Sequence, residues 1–226
     1  MSAPVYHDCI QGSAEWHALR CGMITASTLK AMITPTGKIA DNATTRAYLA
    51  DIIAQRLTKY TEPSFVSDDM QRGIEDECRA RDVYAAKYAP VEQVGFVTRE
   101  IVAGVTIGCS PDGLVGTDGG IEIKSRRAKL QIQAILDGAV PDEHMIQIQT
   151  SMLVTGRQWW DFISYSAGLP MVVIRVPCSY DWTTRIMTAA VEAERRIAEM
   201  RAQYDDAVLS NNWPETERMA QEIVIT

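Results

Sequence analysis

Residues 109–127, CSPDGLVGTDGGIEIKSRR, decide the fold because they predict a hairpin of two short strands. The segment TDGG at 117–120 tolerates the positive φ angles of a tight turn, so the turn is predicted there. Glu122 and Lys124 lie two residues apart on the second strand and therefore share one face. Asp112 begins the partner strand, and this turn brings it roughly opposite Glu122.

Two carboxylates and an ammonium group on one face suit the hydrolysis of a phosphodiester bond. Carboxylate oxygens are ligands for Mg²⁺, which takes one or two of them and keeps several waters. The metal polarises a phosphoryl oxygen and lowers the pKa of a bound water. Lys124 can orient or deprotonate that water, and the carbonyl of Ile123 is a further candidate ligand.

The same residues also fit a solvent-exposed hairpin without chemistry, because Glu-x-Lys is common by chance. Two observations favour the metal site. Ile121 and Ile123 point to the opposite face and indicate a core strand, where charged residues are costly unless they are paired or bind a metal. Arg126 and Arg127 follow directly, where phosphates of DNA would have to be held.

The composition excludes several other classes of protein. The chain of 226 residues is 46% hydrophobic and 23% charged, as in soluble globular proteins. No apolar run approaches the ~20 residues that span a bilayer, and the N-terminal residues do not resemble a secretory signal. Five scattered cysteines and three histidines without metal spacing argue against a disulfide framework and a zinc site. A cytoplasmic protein is therefore expected.

The net charge of −7 counts against a nucleic-acid partner, but its distribution does not. Residues 120–129 hold four basic residues and one acidic residue. A local basic strip of this kind can bind a polyanion on an otherwise acidic protein.

The remaining sequence predicts an α/β class: one domain with a central mixed sheet of about five strands, flanked by helices. Short helices are predicted at 13–20 and at 25–33, the second capped by Thr25. Longer helices are predicted at 42–60, 68–89, 127–137, 142–155 and 181–209. Ser67 or Asp68 is the predicted cap of the helix at 68–89. Strands are predicted in VEQVGFVTRE, VTIGCS, the two arms of the hairpin, RQWWDFISYS and MVVIRVP.

These motifs resemble the PD-(D/E)xK nuclease core, and their context is similar to the phage lambda exonuclease-like viral recombination nucleases. The segments that carry the resemblance are EWHALRCGMITAS at 15–27, RGIEDECRA at 72–80, CSPDGL and IEIK of the hairpin, and MIQIQTSMLVTG at 145–156. They stand in the order of the family and span most of the chain.

The resemblance implies a role for each matched residue of the metal site. Asp112 and Glu122 become metal ligands together with the Ile123 carbonyl, and two Mg²⁺ or Mn²⁺ ions are expected. Lys124 positions or activates the attacking water. Glu77 approaches the metals from a neighbouring helix.

The N-terminal match implies a pocket for the 5′-terminal phosphate of the digested strand. Arg20 offers a planar fork that suits phosphate, although by itself it is equally a salt-bridge partner. Ser27 and Ser110 complete the pocket by resemblance, and Lys38 takes the place of a basic residue that the family has in a nearby loop. Gln147 would bond the attacking water or the scissile phosphate; without the motif it reads as an exposed amide.

The expected protein is a single exonuclease domain over 1–226, with a helical 5′-phosphate-binding segment at 15–60, a nuclease core at 68–177 and a C-terminal helical segment at 181–226. The resemblance implies a Mg²⁺-dependent 5′→3′ exonuclease that acts on linear double-stranded DNA, releases 5′-mononucleotides and leaves a 3′ single strand. It also implies a ring-shaped homotrimer in the cytoplasm of a bacterial host, and a phage single-strand annealing protein as partner.

Two other functions stay open. A structure-specific or restriction-type endonuclease would not need the terminal-phosphate pocket that the match at 15–27 implies. A non-catalytic protein that binds DNA ends would not need the intact set of Asp112, Glu122 and Lys124.

Overall fold

The fold is given by a computed structural model that describes residues 1–34, 36–62 and 68–218, without the side chains of 68–70. The predicted cap of the helix at 68–89, Ser67 or Asp68, lies outside the described side chains. No helix in these ranges is long and apolar enough to cross a bilayer. In chain order the elements are β1 (Val5–His7), α1 (Ala14–Arg20), β2 (Ile24–Thr25), a 3-10 helix (Leu29–Ala31), α2 (Ala43–Thr58), α3 (Asp68–Lys87), β3 (Phe96–Val102), β4 (Val105–Cys109), β5 (Gly113–Val115), β6 (Gly119–Ser125), α4 (Ala128–Asp137), α5 (Asp142–Thr155), β7 (Trp159–Tyr165), β8 (Val172–Pro177) and α6 (Tyr180–Asn211).

The α/β class is confirmed, but the described strands form two four-stranded sheets instead of one central sheet. Their strand orders are β1-β3-β4-β2 and β5-β6-β7-β8. Both are mixed, because β2 is parallel to β4 and β6 is parallel to β7. The sheets separate at residues 110–112, where Pro111 has no N–H to donate to a ladder. Ser110 and Asp112 lie in this break.

The second sheet lies between α3 and α5. Ile121 and Ile123 of β6 are buried in one apolar cluster with Tyr84 of α3. Phe162 of β7 packs on the other face with Met152 of α5. Because side chains alternate along a strand, the charged positions of β6 face α5.

The predicted hairpin is present. Gly113 of β5 lies opposite Ile121 of β6, and residues 116–118 form the turn, slightly earlier than expected. Asp112 directly precedes β5 and accepts a hydrogen bond from the backbone N–H of Ile123, next to Glu122, which agrees with the predicted approach of the two carboxylates.

The predicted helix at 25–33 is wrong. Thr25 belongs to β2, which pairs with β4, and only Leu29–Ala31 is helical, as a 3-10 turn. Ile24 and Leu29 are fully buried in the core of the first sheet. Packing of these apolar side chains overrides the local helix propensity.

A buried carboxylate anchors α3 to the second sheet. Asp161 of β7, which is 2% exposed, accepts a hydrogen bond from the Tyr84 hydroxyl at 2.6 Å. It also accepts two bonds from the Arg175 guanidinium on β8, at 2.8 and 2.9 Å. Burial raises the pKa of Tyr84 and Asp161 adds to the shift, so the phenol remains a donor. This anchor fixes the helix that carries Glu77.

We expect Tyr84→Phe to lower the free energy of unfolding by about 2 kcal/mol, because a buried carboxylate loses one of its donors. Tyr88→Phe is the matched control: Tyr88 directly follows the same helix, stacks on Tyr84 and is exposed. It should change stability by less than about 0.5 kcal/mol. Urea denaturation measures both, and equal losses would contradict the anchor.

Candidate active site

Glu122 is a buried carboxylate with one satisfied oxygen and one unsatisfied oxygen. The residue is 1% exposed, and its Oε1 accepts from Lys124 Nζ at 2.6 Å and from Gln147 Nε2 at 2.7 Å. Its Oε2 is buried and has no hydrogen-bond partner among the described residues. A buried charged oxygen without a donor is costly. Oε2 is therefore the atom through which Glu122 would meet a cation.

Asp112 is held by the strand that carries Glu122. Its Oδ2 accepts the backbone N–H of Ile123 at 2.6 Å. Burial raises the pKa of Asp112 well above its usual range, and the carboxylates of Glu122 and Glu77 raise it further. Carboxylates this close disfavour the charged form of one another, and a divalent cation relieves that repulsion.

Glu77 projects from α3 toward these carboxylates and is paired with Arg81, one turn further along the helix. Arg81 Nε also donates to the backbone carbonyl of Asp112 at 2.9 Å. Burial raises the pKa of Glu77, Arg81 opposes the shift and Glu122 adds to it. Sequence analysis missed Arg81, although its i,i+4 spacing from Glu77 is a recognisable signal for an ion pair on a helix.

Gln147 of α5 joins the two charged groups of β6. It donates to Glu122 and accepts from Lys124 Nζ at 3.4 Å, so it is not the exposed amide of the alternative reading. Burial would lower the pKa of Lys124, but Glu122 and Asp112 outweigh it and raise the pKa. The ammonium group is therefore charged and hydrogen-bonded on the carboxylate face.

The residues of this site fit a divalent metal ion that prefers oxygen. Within the described ranges, no group of three or more His, Cys, Asp or Glu residues is arranged to hold a metal. A cation here would draw on Asp112 and Glu122, completed by a backbone oxygen and water. Mg²⁺ commonly takes such a set, and the unpartnered Oε2 of Glu122 is the observation that favours it.

The three residues predicted to form the core of the 5′-phosphate pocket converge on one cleft, called the Arg20 cleft below. Arg20 Nη1 donates to Ser110 Oγ at 3.1 Å, and Nη2 donates to Ser27 Oγ at 3.5 Å. Trp16, which sequence analysis did not single out, donates its indole N–H to Ser110 at 2.9 Å. The cleft has a volume of about 160 Å³ and is also bordered by Gln147.

Arg20 carries its charge without a carboxylate partner. Burial lowers its pKa, and its hydrogen bonds go to the hydroxyls of Ser27 and Ser110. The rings of Trp16 and Phe96 lie against the guanidinium, 4.2 and 5.5 Å from its central carbon. None of the ion pairs among the described residues includes Arg20, so the salt-bridge alternative does not hold there.

The other predicted DNA-binding residues lie elsewhere. Lys38 is exposed in the loop before α2 and does not border the Arg20 cleft. Arg126 and Arg127 border a second cleft of about 320 Å³. We call this the basic cleft, and its charged or titratable lining residues are Arg72, Lys124, Arg126, Arg127 and His144.

His144 is a further residue whose place in the site the sequence did not reveal. Its ring stacks on Phe162, with 5.4 Å between centroids, and its Nε2 lies 2.7 Å from Arg126 Nη2. Burial lowers the pKa of His144 to about 3, and the cations Lys124, Arg126 and Lys30 add to the shift. The imidazole is therefore neutral at physiological pH.

Comparison with known protein families identifies a match over most of the chain. The family model described as the YqaJ-like viral recombinase domain matches residues 15–158, a range that contains the carboxylates and both clefts. No match is found among curated proteins.

Solved structures with the same fold include nucleases. The alkaline exonuclease LHK-Exo from Laribacter hongkongensis is 34% identical, with a TM-score of 0.73 over 86% of this chain and 100% of that chain. LHK-Exo in complex with dAMP is 35% identical over the same shares, with a TM-score of 0.74. A phage related exonuclease from Haemophilus somnus 129PT is 13% identical, with a TM-score of 0.59 over 80% of this chain and 96% of that chain. At this identity the likeness is evidence for the fold alone. The predicted PD-(D/E)xK fold class is confirmed.

We expect His144 to make the stability of the protein sensitive to acid. Its pKa falls from 6.5 to about 3 on folding, so between these values the unfolded chain binds more protons and stability decreases as the pH is lowered. The free energy of unfolding should therefore drop less between pH 7.5 and 5.5 in His144→Phe than in the wild type.

Chemical denaturation at both pH values measures this difference. His17→Phe removes an exposed histidine and should keep the wild-type pH dependence. Parallel pH profiles for His144→Phe and the wild type would show that His144 is not the titrating group.

Proposed function

This chain belongs to the YqaJ-like viral recombinase domain family, and we propose that it is an exonuclease that digests linear double-stranded DNA in the 5′→3′ direction. It releases 5′-mononucleotides and leaves a 3′ single strand for recombination by strand annealing. The 34% identity to LHK-Exo supports an exonuclease. The complex of that protein with dAMP, a mononucleotide, agrees with the proposed class of product.

The observation that carries the proposal is the position of Arg20 beside the carboxylates. Its guanidinium is partly buried, has no ion pair in the described chain and is oriented by two hydroxyls, so an anion is the missing partner. Gln147 borders the Arg20 cleft and bonds Glu122, which makes the two sites contiguous. A terminal phosphate in the cleft leaves the first phosphodiester bond at Glu122. This arrangement selects strand ends and favours an exonuclease over an endonuclease.

The metal ligands are proposed to be Asp112, Glu122 and the Ile123 carbonyl, with Glu77 nearby. The ion is Mg²⁺ or Mn²⁺, and two ions are proposed. When bound, a divalent metal supplies positive charge that polarises the phosphoryl oxygen and lowers the pKa of water.

The side chains of this chain supply orientation and charge. Lys124, held by Glu122, directs its ammonium group at the attacking water and offsets negative charge that develops on the phosphate. Gln147 aligns Glu122 and Lys124 with each other and, on the side of the Arg20 cleft, can bond the scissile phosphate. Arg20, Ser27 and Ser110 bind the terminal phosphate and thereby set which bond reaches the carboxylates.

A ring-shaped homotrimer and a phage single-strand annealing protein are further parts of the proposal. Family membership supports both. An exposed apolar surface on α4, formed by Ile132, Ile135 and Leu136, also supports assembly, because large apolar side chains are seldom clustered on a monomer surface. Light scattering in solution tests the assembly, and a monomeric mass at working concentration argues against the ring.

The first test of the function compares linear and closed-circular duplex DNA, the linear form labelled at its 3′ ends. With Mg²⁺ we expect each strand of the linear DNA to shorten progressively from its 5′ end while the 3′ label is retained. Closed circles should stay intact, and chelation of the metal should stop degradation. Cut circles would replace the proposal with an endonuclease. Binding to ends without cleavage would replace it with a non-catalytic end-binding protein.

Lys124→Ala should reduce the cleavage rate at least roughly a hundredfold, because the group that positions the water is lost. Binding of linear DNA should change little, because Asp112, Glu122 and the Arg20 cleft remain. Lys87→Ala, at an exposed lysine of α3, is the control and should cleave as the wild type does. Cleavage by Lys124→Ala at near the wild-type rate would refute the role of Lys124.

Arg20→Lys should reduce the preference for 5′-phosphorylated over 5′-hydroxyl ends by about tenfold. Lysine keeps the charge but loses the planar fork that two hydroxyls orient. The preference is measured as the ratio of initial rates on duplexes that differ only in the terminal group. If the wild type digests both ends at one rate, the cleft does not bind the terminal phosphate.

A further inference from the structure

We propose that the basic cleft binds the phosphate on the 3′ side of the scissile bond, and that His144 is the positioning residue that aims Arg126 at it. This inference rests on the proposed function, because it assumes a strand whose 5′ end occupies the Arg20 cleft. The ligand is a single phosphodiester of the digested strand.

The side chains of strand β6 lie in the order in which a bound DNA strand would meet them. Glu122 and Lys124 are two residues apart on β6, and Arg126 lies two residues beyond Lys124. The backbone N–H of Arg126 donates to the carbonyl of Tyr165 at 2.7 Å, so the pairing with β7 extends to this residue. Side chains at this interval share a face and follow one another at about 7 Å. Gln147 links Glu122 to the Arg20 cleft at the opposite end. A DNA strand that passes from the Arg20 cleft over Glu122 and Lys124 therefore reaches Arg126 next.

Arg126 is a nearly buried cation whose charge is only weakly compensated by the described residues. Its side chain is 13% exposed, and its Nε atom is buried without a hydrogen-bond partner in the described chain. Its Nη1 forms a long ion pair with Glu143, at 3.8 Å, and that carboxylate is 65% exposed and therefore well screened by solvent. The cleft around it has no acidic lining residue, whereas Arg72, Lys124 and Arg127 all border it. Cations concentrated in a concave, partly dry surface attract a phosphate strongly.

His144 can fix Arg126 without reducing its charge. Neutral imidazole accepts through one nitrogen, and Nε2 of His144 is 2.7 Å from Arg126 Nη2. Stacking on Phe162 holds the ring in place. The Glu143 carboxylate lies 3.2 Å from the same nitrogen but is mostly in solvent. A buried carboxylate in the place of His144 would hold Arg126 equally well but would neutralise it. Because the acceptor, His144, is neutral, the guanidinium of Arg126 keeps its charge and can bind an anion.

The test measures equilibrium binding of 5′-phosphorylated duplexes in chelator, by fluorescence anisotropy, so that no cleavage is needed. One duplex carries an uncharged methylphosphonate at the second linkage from the 5′ end of each strand, the linkage after the scissile one, so that both ends of the duplex are altered. We expect this single neutral linkage to weaken wild-type binding about tenfold, the effect of one lost charge-assisted contact. A methylphosphonate at the eighth linkage is the control for the chemistry itself.

Variants then assign the contact. The Arg126→Gln and His144→Glu variants should bind the duplexes with and without the neutral second linkage with equal affinity, because the first lacks the cation and the second neutralises it. His144→Gln keeps a neutral acceptor and should retain most of the penalty, whereas Arg195→Gln, at an exposed arginine of α6, should retain all of it. Urea denaturation confirms that each variant is folded before it is compared.

The inference is overturned if the wild type binds both duplexes equally, or if the penalty is undiminished in Arg126→Gln. It is also overturned for His144 if His144→Glu behaves as the wild type does. None of these results depends on turnover. A protein that fails the linear and circular DNA assay but shows the Arg126-dependent penalty would refute the exonuclease and leave the phosphate site standing.

Discussion

The burial of Glu122 is the constraint on which the site depends. A carboxylate that is 1% exposed in the middle of a sheet must be compensated, and the chain compensates only one of its oxygens, through Lys124 and Gln147. The bond from Gln147 ties β6 to α5, whereas the pair with Lys124 lies within β6. The second oxygen has no donor in the described chain. The same buried group therefore organises the protein contacts around it and leaves one position for a cation.

The separation of the sheets at residues 110–112 has a second organising effect. In a continuous strand, Ser110 and Asp112 would point to the same face, and Pro111 would interrupt the hydrogen bonds of the sheet. In the break, Ser110 turns to Arg20 and Trp16, while Asp112 reaches the N–H of Ile123. One short loop thus contributes to both the Arg20 cleft and the carboxylate site. Their spacing is set by backbone geometry and not by flexible side chains.

Much of this arrangement could be predicted from the sequence, because it depends on local periodicity. The hairpin register and the shared face of Glu122 and Lys124 follow from the two-residue repeat of a strand. The residues that were missed contribute through contacts distant in the chain: Trp16 bonds Ser110, His144 contacts Arg126, and Arg81 bonds the Asp112 carbonyl. Only the pairing of Arg81 with Glu77 is local and could have been recognised. The failed helix at 25–33 has the same cause: Thr25 suits a helix cap, but its pairing with β4 decides its conformation. Division into two sheets likewise follows from long-range pairing.

The uncompensated guanidinium of Arg20 has a thermodynamic consequence for the substrate-free protein. A partly buried cation that is held by hydroxyls and rings alone lowers the net stability of the fold, since its desolvation is not fully repaid. Any anion that binds only the folded state shifts the folding equilibrium by mass action. Under the proposed function, the DNA end is therefore a structural ligand as well as a substrate, and the protein resists unfolding most while a DNA end is bound.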